Sequence, residues 1–188
     1  MTIHDKDKED KKEEEKDGST RQLTTGEIAL AKSVFRSTIS YHKVWIHHDS
    51  YLPFGLQDKN TAMAPNGELY FRHWYRDDYS LVVPFLQHLF IHEMSHVWQR
   101  EKGMNVIFRG RVSWMVSYRY TLDGRLLSEY PMEQQSQIIA DNFVLQTFGY
   151  EIWSHLENKR YPDITLDGDT SESVIHEGYK NALRGFPW

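Results

Sequence analysis

Apolar residues recur at helical spacing in three stretches of the chain, and shorter β-branched and aromatic runs lie between them. In the first stretch Ile28, Leu30, Ala31, Val34 and Phe35 form one apolar face. Thr24-x-x-Glu27 ahead of it is a capping box, with Leu23 and Ile28 at the staple positions, which predicts a helix over 25–35. In the second, Leu86, Leu89, Phe90, Val97 and Trp98 keep the helical period, Pro84 suits the first turn and Gly103 the position past the end. The third is opened by Pro131 and closed by Gly149, with Ile138, Val144 or Leu145, and Phe148 on its buried face. Val44-Trp45-Ile46 reads as a short strand. Pro65-Asn66-Gly67 is turn chemistry between candidate strands over 61–64 and 68–71. Such a hairpin is either structural or an edge that binds an extended peptide. The period is ambiguous over 106–120, which fits a second hairpin or a helix over 112–118; Asp123-Gly124 then marks a turn. After residue 157, turns give way to a short helical pattern over 173–183.

The pattern begins only after a long polar lead. Residues 1–18 are mostly charged, with almost nothing apolar to offset the entropy of ordering. They are expected to form a disordered tail, serving as an adaptor segment or as a solvated leader. Residues 19–188 then suffice for a single domain, in which 156–188 would be a C-terminal extension packed on the rest or partly flexible. The net charge of −5 offers no basic footprint for nucleic acid. With no cysteine, the fold needs no disulfide and suits a reducing or an oxidising compartment. No apolar run is long enough to enter and cross a bilayer, and the polar N-terminus lacks the core of a signal peptide. The chain is therefore expected to be made in the cytoplasm and, if it works elsewhere, to be moved by a signal-independent route.

The second helix carries the chemistry. His92-Glu93-x-x-His96 puts two imidazoles one turn apart on one face, where both can reach a single zinc ion. Glu93 lies beside that face, placed to act as a base without being a ligand. His88 lies a further turn back, and the outer two histidines are about 12 Å apart along a straight helix. One ion cannot collect all three, so His88 is expected to be a neighbour of the site. Adjacent residues on a strand face opposite ways, which makes His47 and His48 a poor ligand pair. Glu133, in the first turn of the third long helix, is the candidate for the third ligand, since two histidines leave the site one protein ligand short. Tyr118, Tyr120 and Tyr130 are candidate oxyanion donors or packing residues, and His155 and His176 are donors in reserve or plain surface residues.

The His92-Glu93-x-x-His96 helix followed by Glu133 on a later helix resembles the zincin metallopeptidases of the gluzincin type. The metzincin extension is absent, because Gln99 and Lys102 occupy the positions it gives to Gly and His. Leu23-Thr-Thr-Gly-Glu27, Thr61-Ala-Met-Ala-Pro-Asn-Gly67, His92-Glu-Met-Ser-His-Val-Trp-Gln99 and Glu133-Gln-Gln135 together look like the small metallopeptidase effectors of bacterial type VI secretion. These occur as C-terminal extensions of VgrG spike proteins and as stand-alone relatives. The resemblance implies an α+β, compact zincin-like domain with the motif helix, a second ligand-bearing helix and a small antiparallel sheet. It implies one zinc ion held by His92, His96 and Glu133, with Glu93 as base; on the residues' own reading, Tyr118, Tyr120 and His176 are the candidates to complete the catalytic set as the oxyanion donor. It further implies an antibacterial effector that cleaves protein or peptidoglycan peptides in a rival's periplasm, carried by a secretion spike or adaptor and matched by an immunity protein. Many gluzincins place an acidic residue four positions after the ligand glutamate. Here that position holds Gln137, and Asp141 lies a turn beyond. Two other readings fit the same residues: a non-catalytic binding or adaptor module with structural zinc, and a housekeeping cytosolic metalloprotease.

Overall fold

A computed structural model describes residues 18–104, 119–159 and 166–188. The expectations for the tail at 1–17, for the segment 105–118 and for the turn at Asp163 lie outside these residues.

Strand β1 (Ser19–Gln22) starts the described chain, earlier than the sequence pattern suggested. It pairs antiparallel with β2 (Trp45–His48), which pairs in parallel with β3 (Leu69–Phe71) in the order β1-β2-β3. The sheet is thus mixed, correcting the expected antiparallel one. The cause is the connection from residue 49 to 68, long enough to carry the chain back and bring β3 in alongside β2 in the same direction. Of the expected 61–71 hairpin there remains a single antiparallel bridge, in which Met63 and Tyr70 exchange backbone hydrogen bonds of 3.1 and 2.8 Å.

Helix α1 (Thr25–Phe35) has the boundaries its capping box predicts. The Thr24 side chain accepts from Glu27 N at 3.0 Å while Glu27 accepts from Thr24 N at 2.8 Å. Glu27 has no exposed surface, and a buried carboxylate needs several donors. Arg21 of β1 supplies two bonds of 2.8 Å, and the Tyr79 backbone N–H donates at 2.9 Å. One side chain therefore ties the sheet, α1 and the approach to the next helix together.

Helix α2 (Pro84–Glu101) is buried throughout residues 90–99 and packs along α3 (Met132–Phe148). Gly149, at φ 85°, ends α3 as its position predicts, but the chain turns there straight into α4 (Tyr150–Lys159), which buries Trp153. Helix α5 (Glu172–Ala182) buries Ile175, Tyr179 and Ala182. The C-terminal segment is packed: Phe186 meets the rings of Phe35 and Trp98, and Trp188 meets Trp98. No helix among the described residues is long and apolar enough to cross a membrane.

Candidate metal centre

Because α2 is covered on every side over its second half, His92, Glu93 and His96 are held in the interior, where polar side chains need partners. Pro131 ends the extended approach to α3, so the first turn of that helix delivers Glu133 across from them. Glu133 Oε2 lies 3.4 Å from His92 Nε2 and 3.2 Å from His96 Nε2. Candidate ligand atoms of the three residues all fall within 4.8 Å of one another, the one such group of three or more among the described residues.

These spacings suit a zinc ion. Two ligands each about 2.0–2.1 Å from a tetrahedral ion stand about 3.3 Å apart. Two imidazole nitrogens and a carboxylate oxygen are also an ordinary zinc donor set. Glu93 adds an independent sign of missing chemistry: its Oε2 is buried with no hydrogen-bond partner among the described residues. A carboxylate oxygen so placed is costly unless something polar enters beside it.

The charged groups of this cluster perturb one another. Burial disfavours the charged imidazolium of His96, yet the adjacent Glu133 carboxylate, assisted by Glu93, outweighs it and raises the pKa to about 9. Burial likewise works against ionised Glu133, but His96 and His92 hold it well below the usual carboxylate range. Glu93 goes the other way. Its burial, offset only in part by His96 and His92 and reinforced by Glu133, pushes it above the ordinary value.

The remaining candidates fall elsewhere. His88 is a neighbour of the site, as helix geometry required: its Nε2 meets Asp141 Oδ1 at 2.8 Å, and its ring centre is 6.5 Å from that of His92. Gln137 donates to the same Asp141 oxygen at 2.8 Å. The carboxylate one turn later than in many gluzincins thus serves a histidine one turn earlier. Tyr118 lies outside the described residues. The Tyr120 hydroxyl is engaged by Asp141 and Tyr179, each at 2.6 Å, in a buried cluster on the His88 side. Tyr130 donates to the Thr121 carbonyl at 2.8 Å under the Arg125 guanidinium. His155 is exposed on α4, and His176 is exposed on α5 at 4.0 Å from Glu172, outside the ligand group. His47 stacks on Tyr70 and meets Glu68 at 2.8 Å, while His48 stacks on Tyr75, and neither joins the ligand group. Two residues not singled out from sequence touch the centre: Gln99 and Ser136 approach His96 Nδ1. Only the i, i+3 spacing of Gln99 from His96 could have signalled it.

No family model matches the chain. In an alignment 133 residues long that covers 66% of this chain, it is 41% identical to the type VI secretion system spike protein VgrG2b of Pseudomonas aeruginosa, of which it spans 13%. The solved effector domain of P. aeruginosa VgrG2b matches with a TM-score of 0.62 and 39% identity, over 73% of this chain and 82% of that one. With four-fifths of that domain matched at such identity, the chain belongs to the family of the VgrG2b effector domain.

Proposed function

We propose that this chain is a type VI secretion effector acting as a zinc-dependent hydrolase of the gluzincin metallopeptidase type, cleaving peptide or amide bonds. The observation that carries the reading is the meeting of Glu133 Oε2 with both imidazole Nε2 atoms, at 3.4 and 3.2 Å, beside a buried oxygen of Glu93 that has no hydrogen-bond partner among the described residues. Structural zinc is normally closed by four protein ligands, and among the described residues three converge, which favours an open, catalytic site.

The chemistry supplied by zinc, when bound by His92, His96 and Glu133, is Lewis acidity toward a water and a carbonyl oxygen. The protein's own part falls to Glu93. With its pKa raised by burial above the ordinary value, it is a better proton acceptor than an exposed glutamate. It takes a proton from water as the water oxygen adds to the amide carbon, then returns it to the nitrogen as the C–N bond breaks. One water is consumed, and a carboxylic acid and an amine are released.

Family membership supports delivery into a target cell by a secretion spike, with an immunity protein protecting the producer. Envelope proteins and peptidoglycan peptides of the periplasm both offer amide bonds. Purified protein incubated with peptidoglycan sacculi and with unfolded protein, with and without chelator, separates these by mass spectrometry of the products. Glu93→Ala should lower hydrolysis by at least about 10²-fold, as expected for loss of a general base, with zinc stoichiometry unchanged. Loss of metal together with activity would contradict the role of Glu93, and no product from either substrate would contradict the hydrolase.

A further inference from the structure

The second ligand histidine is held by an amide where metal-bound histidines commonly rely on a carboxylate, a backbone carbonyl or water. His96 Nδ1 lies 2.8 Å from Gln99 Oε1, and Gln99 has no exposed surface. Which end of this amide faces the imidazole is fixed by its other end. Gln99 Nε2 sits between two oxygens, donating to the Met132 carbonyl at 2.8 Å and to Gln135 Oε1 at 3.3 Å. Reversing it would set the amide oxygen against the Met132 carbonyl, two acceptors with no proton between them. Gln135 is fixed in turn, since its Nε2 donates to the Tyr130 carbonyl at 2.8 Å. The chain of donors runs one way, from the His96 Nδ1–H to Gln99, from Gln99 to Gln135, and from Gln135 to the Tyr130 backbone.

We infer that Gln99 is a positioning residue for the metal centre, which holds His96 as the Nδ1–H tautomer and sets the approach of Glu133. This rests on the reading of His92, His96 and Glu133 as a zinc site. Two consequences follow from its two ends. With a proton on Nδ1, the lone pair of His96 is on Nε2, the nitrogen 3.2 Å from Glu133. At the other end, the Met132 carbonyl belongs to the residue just before Glu133, so one side chain on α2 fixes a ligand of its own helix and the backbone beside the ligand of α3. A neutral acceptor also leaves the negative charge of the centre to Glu133 and Glu93. Ser136 Oγ, at 3.3 Å from the same Nδ1, makes a longer contact than the 2.8 Å one of Gln99.

The test measures zinc affinity by competition with a chromophoric chelator, together with the thermal midpoint of the metal-free protein. Gln99→Met keeps the volume but removes the acceptor and the donor, and should bind zinc about 10- to 100-fold more weakly. Gln135→Met, which only loosens Gln99, should lose less, and Ser136→Ala should stay near the wild type. In the zinc-loaded wild-type protein, long-range ¹H–¹⁵N spectra should show His96 protonated at Nδ1 and metal-bound at Nε2. Gln99→Met with unchanged zinc affinity and a lowered metal-free midpoint would make Gln99 merely structural and overturn the inference. His96 protonated at Nε2 would overturn it as well, and this measurement decides alone if the variant does not fold. A wild-type protein that binds no zinc at all would instead overturn the metal reading on which it rests.

Discussion

The carboxylate of Asp141 has no exposed surface, so its charge must be met inside the protein. His88 and Gln137 each approach Oδ1 at 2.8 Å, and the Tyr120 hydroxyl donates to Oδ2 at 2.6 Å. Asp141→Ala leaves these groups facing a void and should cost at least about 1–3 kcal/mol of stability in denaturant unfolding, the range for leaving a buried polar partner unsatisfied. Tyr120→Phe removes one bond to Asp141 and one to the Tyr179 hydroxyl, and should cost at least about 1.5–3 kcal/mol. If Tyr120→Phe instead left stability intact and abolished hydrolysis, the hydroxyl would belong to the chemistry and not to this cluster. A pH effect is set at the same scale. On His96 a proton and a metal ion compete for one lone pair, and in the metal-free protein that proton stays on up to about pH 9. Glu133, held low by the histidines, has already lost its own. Zinc uptake near neutral pH should therefore release about one proton from His96, and apparent affinity should fall about tenfold per unit as pH drops below that value. Titration calorimetry in two buffers of different ionisation heat measures the release; no proton released would show that Glu133 does not hold His96 charged. His88 shows how far sequence reaches here. The rise of a helix excluded it as a third ligand, but its partner Asp141 is 53 residues away, and only the packing of α2 on α3 makes them neighbours.

At the scale of elements, what the sequence disclosed divides by the range of the interactions that form each one. Helix α1 was legible to the residue because its start is set by groups three residues apart. Thr24→Ala removes the side-chain half of that box and should lower stability by about 1 kcal/mol, read as a shifted denaturation midpoint with unchanged slope. A loss several times larger would mean that Thr24 also sets the position of Glu27, on which Arg21 and the Tyr79 backbone depend. Helices α2 and α3 were legible for similar reasons, with Pro at one end and a glycine near the other. The sheet was not. Strand β1 has an exposed, polar sequence and is held by backbone pairing to β2 and by Arg21, neither of which leaves a pattern of alternating apolar residues. The parallel pairing of β2 with β3 depends on the path of a long connection. Helix α4 was hidden differently: Gly149 reads correctly as an end, and nothing local says that a new helix starts at the next residue. Likewise the meeting of His92, His96 and Glu133 was legible from spacing and from one carboxylate in a first turn. The amide relay behind it was not, because Gln99, Gln135 and the Tyr130 carbonyl meet only once two helices are packed.

For the molecule as a whole, the centre lies on the seam between the two longest helices among the described residues, with His92 and His96 on α2 and Glu133 on α3. A ligand that binds the folded state alone stabilises it by mass action, by about 2.7 kcal/mol at a free concentration 100 times its Kd. In a chain of this length such a gain corresponds to about 5–10 °C in thermal midpoint. Zinc should therefore raise the midpoint, and a chelator should lower it again. The variants separate the parts of the site. Glu133→Ala and His96→Ala each remove a ligand, and should abolish the zinc-dependent rise. Glu93→Gln leaves all three ligands in place and should keep the rise while losing hydrolysis. Equal rises in wild type and Glu133→Ala would mean that zinc binds away from the seam, for instance at exposed carboxylates. A rise lost in Glu93→Gln would make that glutamate a ligand, leaving the site without the base that hydrolysis requires.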